Sequence, residues 1–346
     1  MNFGILGSGS WGTALAKILT DNGQTIYWWN RSANAITQFK LRSHNPQYLP
    51  SARFNMNQLN LTTNASEVLE NSDVIVIAIP SAFAIETLEV LPKNIFEGKK
   101  IVSAIKGILP QNNMLLNDYL KQEFDVELPN YFAVLGPCHA EEVAQEKLSY
   151  LTFSGIDASV TTSIAGYFKT PYINTIVNKD IYGVQYAAVL KNIYAVGAGI
   201  AHGLDYGDNF LSVLIANSAD EMAGFLRKAG IINAEVGYIE HKKNALPQEA
   251  HHNYAASVYL GDLLVTCYSL HSRNRTFGNM IGKGYSVKAA QLEMSMVAEG
   301  YFASKCMQHI NQEIKAEMPI AQTVYDILWN GIDAKEGFNK MEEELV

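Results

Sequence analysis

The stretch over residues 2–21 constrains the fold of this chain more than any other. It opens with the apolar run Phe3-Gly4-Ile5-Leu6 and continues with Gly7, Gly9 and Gly12, spaced as Gly-x-Gly-x-x-Gly. Small and apolar residues then recur at helical spacing, so the order predicts a strand, a tight turn and a helix. In such a turn the first glycine allows a sharp bend, the second lets a phosphate approach the main chain, and the third lets the helix pack against the strand. Because N–H groups at a helix start attract anions, we predict a dinucleotide-binding turn. The alternative is a glycine turn without a ligand.

Apolar runs of strand length recur through the first half of the chain and alternate with helical stretches. The run over residues 73–80 is apolar throughout after Asp73, which is typical of a parallel strand covered on both faces. The alternation predicts an α/β fold with a Rossmann-type, doubly wound sheet in a dinucleotide-binding domain over residues 1–180. The predicted strands cover residues 3–6, 25–29, 73–80, 100–104, 131–135, 150–154 and 172–177.

The pattern of the second half is helical from about residue 180 onward. Its apolar residues follow helical spacing, which predicts an all-helical, substrate-binding C-terminal domain over residues 181–346. We expect the polar stretch over residues 231–252 to be a surface loop and the charged tail over residues 335–346 to be peripheral. The predicted helical stretches cover residues 181–227, with a second long helix over 209–228, and then 253–270, 288–308 and 320–329.

Composition excludes several classes of protein. Of the 346 residues, 48% are hydrophobic and 17% are charged, and the formal net charge is −8, which describes a globular protein with a large core. No basic run is present, so we expect no nucleic-acid partner. The three cysteines show no paired spacing, which argues against disulfides and a zinc site, and His251-His252 lack a second cluster that would complete a metal site. The apolar runs are too short to span a membrane, so we predict a cytoplasmic protein without membrane insertion.

The residues after the second predicted strand bear on cofactor choice. NAD-specific sites carry an acidic residue about 20 residues after the glycines, where it holds the ribose 2′-hydroxyl. Here Asn30-Arg31 occupies that place. Arg31 could pair with a 2′-phosphate, which favours NADP, or it could be a solvated surface arginine.

Two lysines are candidates for chemistry. Lys191 lies in an apolar helical stretch without an acidic partner one turn away. It either reaches to the surface, which the pattern alone favours, or points into a cleft where it could transfer protons. Lys106 follows a strand at the edge where doubly wound sheets bind ligands, so we favour a functional role for it.

Three further polar stretches have both a functional and an ordinary explanation. The sequence Ser272-Arg273-Asn274-Arg275 could hold a phosphate, because a guanidinium offers a planar fork of donors, or it could be a basic surface turn. Asp262 could orient a lysine or a substrate hydroxyl, or it could simply cap a helix. Glu299 interrupts a helical run and could lie on a solvated face.

Taken in order, these stretches resemble the bacterial NAD(P)-dependent glycerol-3-phosphate dehydrogenase family. The resemblance covers residues 4 to about 305. The motifs that carry it are Gly7-Ser8-Gly9-Ser10-Trp11-Gly12-Thr13-Ala14, Asn45-Pro46-Gln47-Tyr48-Leu49-Pro50, Lys106-Gly107, Gly136-Pro137, Leu190-Lys191-Asn192, Gly203-Leu204-Asp205-Tyr206-Gly207-Asp208-Asn209, Gly261-Asp262-Leu263-Leu264-Val265-Thr266-Cys267, Ser272-Arg273-Asn274 and Glu299-Gly300.

The resemblance implies a reaction and a set of roles. It implies reversible reduction of dihydroxyacetone phosphate by NAD(P)H, with NADPH favoured, to sn-glycerol 3-phosphate for glycerophospholipid synthesis. It also implies a C-terminal domain like that of 6-phosphogluconate dehydrogenase, and a homodimer. Lys191 would be the general acid, with Lys106 and Asp262 as further catalytic groups. The implied substrate-binding residues are Lys106, Gly136, Cys138, Lys191, Asn192, Asp262, Thr266, Ser272, Arg273 and Asn274. The implied cofactor-binding residues are Gly7, Gly9, Ser10, Trp11, Gly12, Arg31, Lys106, Ala140, Arg273, Val297 and Glu299.

The chain departs from the family pattern at three places. Cys138 stands where serine or threonine is usual, residues 228–259 look longer than their equivalent, and Val258-Tyr259-Leu260 replaces smaller residues before Asp262. Two other functions compete with the main one. One is a β-hydroxyacid-type dehydrogenase of the same build, against which Ser272-Arg273-Asn274 argues. The other is a dinucleotide sensor without turnover, against which the intact Lys106, Lys191 and Asp262 argue.

Overall fold

The computed structural model describes residues 1–231, 257–294 and 296–346, which form two compact units. The first unit covers Met1–Ile181 and the second covers Tyr182–Val346. Within the described ranges, no helix combines the length and apolar character that a membrane crossing requires. The same ranges hold no group of three or more His, Cys, Asp or Glu side chains placed to bind a metal ion.

The first unit is built on one eight-stranded sheet. Its strands are β1 (Phe3–Leu6), β2 (Ile26–Trp29), β3 (Leu59–Thr62), β4 (Val74–Ile77), β5 (Lys100–Ser103), β6 (Tyr131–Leu135), β7 (Ser149–Ser154) and β8 (Ile173–Asn178). Its helices are α1 (Ser10–Asp21), α2 (Ala33–Arg42), α3 (Ala65–Glu70), α4 (Ser81–Leu88), α5 (Leu116–Phe124), α6 (Ala140–Ala144) and α7 (Ala158–Gly166).

The strand order β3-β2-β1-β4-β5-β6-β7-β8 confirms the predicted doubly wound sheet. All neighbours pair in parallel except β6 and β7, which are antiparallel. The order reverses between β1 and β4, where Leu6 pairs with Ile77. At such a switch point the connections leave in opposite directions and open a crevice at the carboxyl ends of the strands. The glycine turn that follows β1 lies at this edge.

The sequence did not reveal β3. This strand is at the edge of the sheet and reads Leu-Asn-Leu-Thr, with only Leu59 buried. An edge strand with one buried residue lacks the continuous apolar run that identified its neighbours. By contrast, β4 and β6 are buried along their whole length, and the sequence located both.

The second unit is helical throughout its described residues, as predicted. Its elements are α8 (Ile181–Gly203), α9 (Asp208–Lys228), a π-helical turn (Ser257–Gly261), α10 (Asp262–Tyr268), α11 (Arg273–Gly282), α12 (Val287–Glu293), α13 (Glu299–Ile314), α14 (Pro319–Trp329) and α15 (Ala334–Glu342). The expected surface loop over residues 231–252, its two histidines and the first part of the predicted helix over 253–270 lie outside the described residues.

The helical stretch predicted over residues 288–308 consists of two helices, α12 and α13, because the chain leaves helical geometry before Glu299. One expectation about the second unit was wrong. The tail is not peripheral: it forms α15, whose Phe338 and Met341 are buried while its charged residues lie on the other face. Asp333 caps this helix by accepting hydrogen bonds from two main-chain N–H groups.

Glycines bring α8 and α11 into main-chain contact. A Cβ atom at Gly199 would lie 2.1 Å from the carbonyl oxygen of Arg275, and one at Gly278 would lie 2.0 Å from that of Val196. Gly203 and Gly282 approach the facing helix in the same way. We call these four residues the glycine contact. It leaves no room for side chains between the two helices, so their separation is set by backbone atoms.

Candidate active site

The glycine turn has the geometry that its spacing predicts. Gly7 has a φ of +118°, and a Cβ there would lie 2.4 Å from the carbonyl oxygen of Ala78. At Gly12 a Cβ would lie 2.3 Å from the carbonyl oxygen of Gly7, so the helix packs directly on the turn. At Gly9 no described atom lies within 4 Å of the Cβ position, so this face of the turn is open. These are the three roles that a dinucleotide-binding turn requires of its glycines.

The start of α1 is suited to an anion. Gly9 is the N-cap residue, and within the described chain no side chain caps this end and no acidic residue lies in the first turn. The positive end of the helix dipole therefore faces the open side of the turn without a charge from the helix itself to offset it. Ser10, the first helical residue, is buried. The residues present thus fit a pyrophosphate group.

Two side chains that the sequence analysis gave no role hold this turn in place. The Trp28 indole N–H donates to the carbonyl oxygen of Gly7 at 2.9 Å. The Asn45 amide donates to the carbonyl oxygen of Ser8 at 2.9 Å and to the Thr13 hydroxyl at 2.8 Å. Asn45 lies in one of the family motifs, which was the available signal for it. Both residues fix the turn without occupying its open face.

Trp11 and Lys106 come together in the first unit. The Lys106 ammonium lies 4.8 Å from the centre of the Trp11 ring, within range of a cation–π interaction. The Trp11 indole nitrogen is buried and has no hydrogen-bond acceptor among the described residues. A buried N–H donor without an acceptor is costly, and a ligand bound beside the turn would supply the missing acceptor.

The other cofactor and substrate candidates of the first unit lie after β2 and β6. Arg31 is exposed, whereas Asn30 is buried and donates its main-chain N–H to Thr62. Gly136 has a φ of +136°, and its close approach to the Tyr150 carbonyl oxygen excludes a side chain. The buried Cys138 thiol donates to that same carbonyl oxygen at 3.1 Å. Ala140, also buried, begins α6.

In the second unit, Lys191 and Asp262 form a buried ion pair between α8 and α10. Lys191 is 2% exposed and Asp262 is 1% exposed. The surface interpretation of Lys191 is therefore wrong, and its acidic partner comes from another helix. Asp262 is also not the N-cap of α10, because that position belongs to Gly261. An ammonium and a carboxylate buried together hold each other in a fixed geometry, since either charge alone would be strongly destabilising.

Further polar side chains of the second unit are hydrogen-bonded. The Asn274 amide donates to the Asn192 side-chain oxygen at 2.9 Å, and the Asn274 oxygen accepts from the Gly300 N–H at 2.9 Å. The Thr266 hydroxyl donates to the main-chain oxygen of Asp262 at 2.5 Å. Ser272, predicted to contact phosphate, caps α11 by accepting from the Arg275 N–H.

The basic stretch is the start of α11 and not a surface turn. Arg273 is the first residue of that helix and is half-buried. The Nε–H of Arg275 is buried without a hydrogen-bond partner among the described residues. Val297 and Glu299 are half-buried, and Glu299 begins α13. Positive side chains therefore gather at the positive end of a helix dipole, which suits an anion.

Burial raises the pKa of two other groups in this unit. Burial raises the pKa of the Cys267 thiol to about 12, although Lys191 and Arg275 oppose that shift. Cys267 therefore stays a neutral thiol near the ion pair and does not serve as a nucleophile. Burial also raises the pKa of Glu221 to about 7, although it accepts hydrogen bonds from the N–H groups of Ile320 and Ala321.

The predicted site residues thus fall into two groups, one in each unit. Comparison with known families identifies both units. Residues 2–160 match the N-terminal model of NAD-dependent glycerol-3-phosphate dehydrogenase, and residues 180–339 match its C-terminal model. The chain belongs to the NAD-dependent glycerol-3-phosphate dehydrogenase family.

Individual relatives agree with this membership. Glycerol-3-phosphate dehydrogenase [NAD(P)+] of Bacillus velezensis is 33% identical over 328 residues, which is 94% of this chain and 90% of the relative. The enzyme of the same name from Bacillus anthracis is 31% identical over 338 residues, covering 97% and 94%. The crystal structure of glycerol-3-phosphate dehydrogenase from Coxiella burnetii superposes with a TM-score of 0.86 at 26% identity, covering 99% of this chain and 98% of that one.

Proposed function

We propose that this protein catalyses the reversible NAD(P)H-dependent reduction of dihydroxyacetone phosphate to sn-glycerol 3-phosphate, which supplies glycerophospholipid synthesis. The observation that carries the proposal is the buried Lys191–Asp262 pair, in a family member whose first unit has an open dinucleotide turn. A bound nicotinamide supplies the hydride that the reaction needs. The chain must then hold the turn, orient the substrate and provide one proton.

Lys191 is the proton donor in this proposal. When the carbonyl carbon accepts a hydride, negative charge develops on the ketone oxygen, and an ammonium group both stabilises and protonates that oxygen. Asp262 holds the lysine Nζ in one position before the reaction. In the reverse direction the neutral lysine accepts the hydroxyl proton. The buried setting excludes water and strengthens each of these interactions.

Arg273 holds the phosphate in this proposal, at the start of α11, with Ser272 fixing the helix end. Pairing the distant phosphate places the ketone carbon for reaction, because a bound and oriented substrate has already lost its translational freedom. Lys106 and Thr266 contribute further polar contacts. Gly136 and Cys138 shape the edge after β6, where the thiol already donates to the Tyr150 carbonyl oxygen.

We further infer that NADPH is preferred over NADH. The exposed Arg31 follows β2, where an acidic residue would select NADH, and Asn30 is turned inward. Ser10, Trp11, Ala140, Val297 and Glu299 are the remaining proposed cofactor contacts. The three cysteines are buried free thiols, which fits a cytoplasmic location. The family resemblance implies a homodimer, which light scattering would test.

The decisive experiment measures nicotinamide absorbance with dihydroxyacetone phosphate and either NADPH or NADH. We expect oxidation of the cofactor, faster with NADPH, and the preference should decrease in an Arg31→Gln variant. A protein that binds NADPH but oxidises it with neither this substrate nor a β-keto acid would be a sensor. Oxidation only with the β-keto acid would identify the hydroxyacid-type dehydrogenase.

A further inference from the structure

Buried side chains bind two consecutive carbonyl groups of the glycine turn. The Ser8 carbonyl oxygen accepts from the Asn45 amide at 2.9 Å. The Gly9 carbonyl oxygen accepts from the Thr13 hydroxyl at 2.8 Å and from the Thr13 main-chain N–H at 2.9 Å. Asn45 is 3% exposed and Thr13 is fully buried. These bonds are therefore shielded from water and strongly directional.

The orientation of the Asn45 amide is determined by its four partners. Its oxygen accepts from the main-chain N–H groups of Gln47 at 3.0 Å and of Tyr48 at 3.3 Å. Its amino group donates to the Ser8 carbonyl oxygen and to the Thr13 hydroxyl. A main-chain N–H can only donate and a carbonyl oxygen can only accept, so the reversed amide would lose these bonds. Asn45 therefore turns its amino group, and not its oxygen, toward the glycine turn.

The bound Ser8 carbonyl determines where the next N–H points. A peptide group is planar and trans, so its carbonyl and its N–H point in opposite directions. Because the Ser8 carbonyl faces Asn45, the Gly9 N–H is directed away from Asn45. No described atom lies within 4 Å of the Cβ position of Gly9, which is also the N-cap residue of α1. The Gly9 main chain is thus accessible at the positive end of a helix dipole.

We propose that Asn45 is a positioning residue for the cofactor, which holds the Ser8–Gly9 peptide group so that the Gly9 N–H donates to the pyrophosphate. Glycine has no Cβ to restrict its φ, so this peptide group could rotate if its carbonyl were not bound. Asn45 acts through the main chain and does not contact the cofactor itself. The inference rests on dinucleotide binding at this turn and not on the identity of the substrate.

The test is Asn45→Asp, which separates the oxygen of the side chain from its amino group. A carboxylate still accepts from the Gln47 and Tyr48 N–H groups, so the local turn is retained. It cannot donate, and its charge repels the Ser8 carbonyl oxygen, so the peptide group should rotate. We expect the Kd for NADPH, measured by calorimetry, to rise about 10- to 100-fold, because a hydrogen bond to a charged phosphate is lost. An unchanged Kd would overturn the inference.

Asn45→Ala distinguishes peptide orientation from charge. It removes the donor without placing a negative charge near the pyrophosphate. The peptide group can then still reach the bound orientation but is no longer held there, so the Kd for NADPH should rise by a smaller factor, about 3- to 10-fold. A wild-type Kd in Asn45→Ala would show that Asn45→Asp acts through charge repulsion alone, which would contradict the proposal.

Two control variants separate positioning from stability. Thr13→Val removes the second acceptor of the Asn45 amino group and leaves its bond to Ser8 in place. It should lower thermal stability, because a buried N–H loses its acceptor, but raise the Kd for NADPH by no more than about threefold. Asn64→Asp makes the same chemical change in an asparagine that accepts from the Ser66 N–H at the start of α3, and it should bind NADPH like the wild type. If Thr13→Val weakened binding as much as Asn45→Asp, lost stability would explain both effects and the inference would fail.

NMR of protein labelled with 15N-glycine reports on the Gly9 N–H directly. In the wild type, saturating NADPH should shift the Gly9 amide proton downfield, because it gains a charge-assisted hydrogen bond. The shift should be retained in Asn45→Ala and absent in Asn45→Asp. An equal shift in Asn45→Asp would show that the peptide orientation does not depend on Asn45. If the wild type shows the shift but does not reduce dihydroxyacetone phosphate, the proposed function fails while the role of Asn45 stands.

Discussion

At the scale of single residues, the buried pair of Lys191 and Asp262 governs how the lysine can be tested. Removing Lys191 alone would leave a buried carboxylate unpaired, at a cost of about 3–5 kcal/mol, so loss of activity could reflect unfolding. The double variant Lys191→Met/Asp262→Asn removes both charges. We expect kcat to fall by about 10²- to 10⁴-fold while the Kd for NADPH stays within about twofold.

Lys17 is the matched control for this double variant. It is another buried lysine, and it pairs with Asp21 and Glu146 on α1 and beside α6. Lys17→Met should lower the free energy of unfolding and leave kcat unchanged. A near-normal kcat in the double variant of Lys191 and Asp262 would show that another group donates the proton.

The contact between Trp11 and Lys106 also belongs to this scale. The Trp11 ring should hold the Lys106 ammonium in place. Trp11→Leu should therefore raise the KM for dihydroxyacetone phosphate by about 2- to 30-fold. Trp11→Phe keeps an aromatic face and should raise the KM less. In a Lys106→Gln background the Trp11→Leu change should have little further effect on KM.

A matched cation–π pair provides the comparison for Trp11. Lys305 lies 4.7 Å from the ring centre of Trp329 in the second unit. Trp329→Leu should reduce stability without changing KM. Equal effects of Trp11→Leu with and without Lys106 would show that the ring acts on its own.

At the scale of secondary-structure elements, the glycine contact between α8 and α11 makes a prediction that opposes helix propensity. Alanine is favoured over glycine inside a helix by about 1 kcal/mol. Gly278→Ala should nevertheless lower the free energy of unfolding by about 1–3 kcal/mol, because its Cβ would lie 2.0 Å from a carbonyl oxygen. Chemical denaturation measures the change.

Gly224 in α9 shows what the same substitution does without a neighbour. No described atom lies within 4 Å of its Cβ position. Gly224→Ala should therefore stabilise the protein by about 0.5–1 kcal/mol. If Gly278→Ala were equally stabilising, α8 and α11 could not be in main-chain contact.

Glu221 of α9, which accepts hydrogen bonds from two N–H groups in the first turn of α14, makes the stability of the protein depend on pH. The pKa of Glu221 is about 7 when folded, because burial disfavours its charge, against an ordinary value of 4.5. The folded state therefore binds this proton more tightly, and its stabilising effect is full below pH 4.5 and is lost as pH rises to about 7. On the order of 3 kcal/mol should disappear over that window.

Denaturation at pH 5 and pH 8 tests this dependence. The decrease in unfolding free energy between the two values should be smaller in Glu221→Gln than in the wild type. Glu336→Gln, which changes a half-exposed carboxylate paired with Lys340, should leave the decrease as it is. An identical pH dependence in Glu221→Gln would mean that other groups are responsible.

The sequence predicted an element well when that element is buried on both faces, and poorly when it lies at an edge or on the surface. Strands buried on both faces, such as β4 and β6, left continuous apolar runs and were found. β3 carries polar residues at the sheet edge, so it lacks a continuous apolar run. In α15 only a few buried residues, Phe338 and Met341 among them, lie between charged residues, so its helical apolar spacing was not clear. The partnership of Lys191 with Asp262 could not be read at all, because 71 positions of sequence separate two helices that meet only after folding.

At the scale of the whole molecule, the chain consists of two units, each with its own buried core. The glycine turn belongs to the first, so NADPH should protect the main-chain amides at the start of α1 from hydrogen exchange. Protection should also appear at residues 297–299, where the family resemblance places two cofactor contacts. Protection confined to residues 1–181 would remove Val297 and Glu299 from the proposed cofactor site. Mass spectrometry of peptides provides the readout.

The glycine contact has a consequence for which chain length of substrate the protein accepts. Lys191 belongs to α8 and Arg273 to α11. Under the proposed roles, the distance from the proton donor to the phosphate-binding residue is therefore set by main-chain contact between these two helices. Side chains at a helix interface can change rotamer and let the helices slide. Carbonyl oxygens packed against glycine Cα atoms have no rotamers to change, so they do not allow such sliding. A phosphorylated ketone with one carbon more or fewer than the proposed substrate would therefore not fit the fixed distance between the two helices.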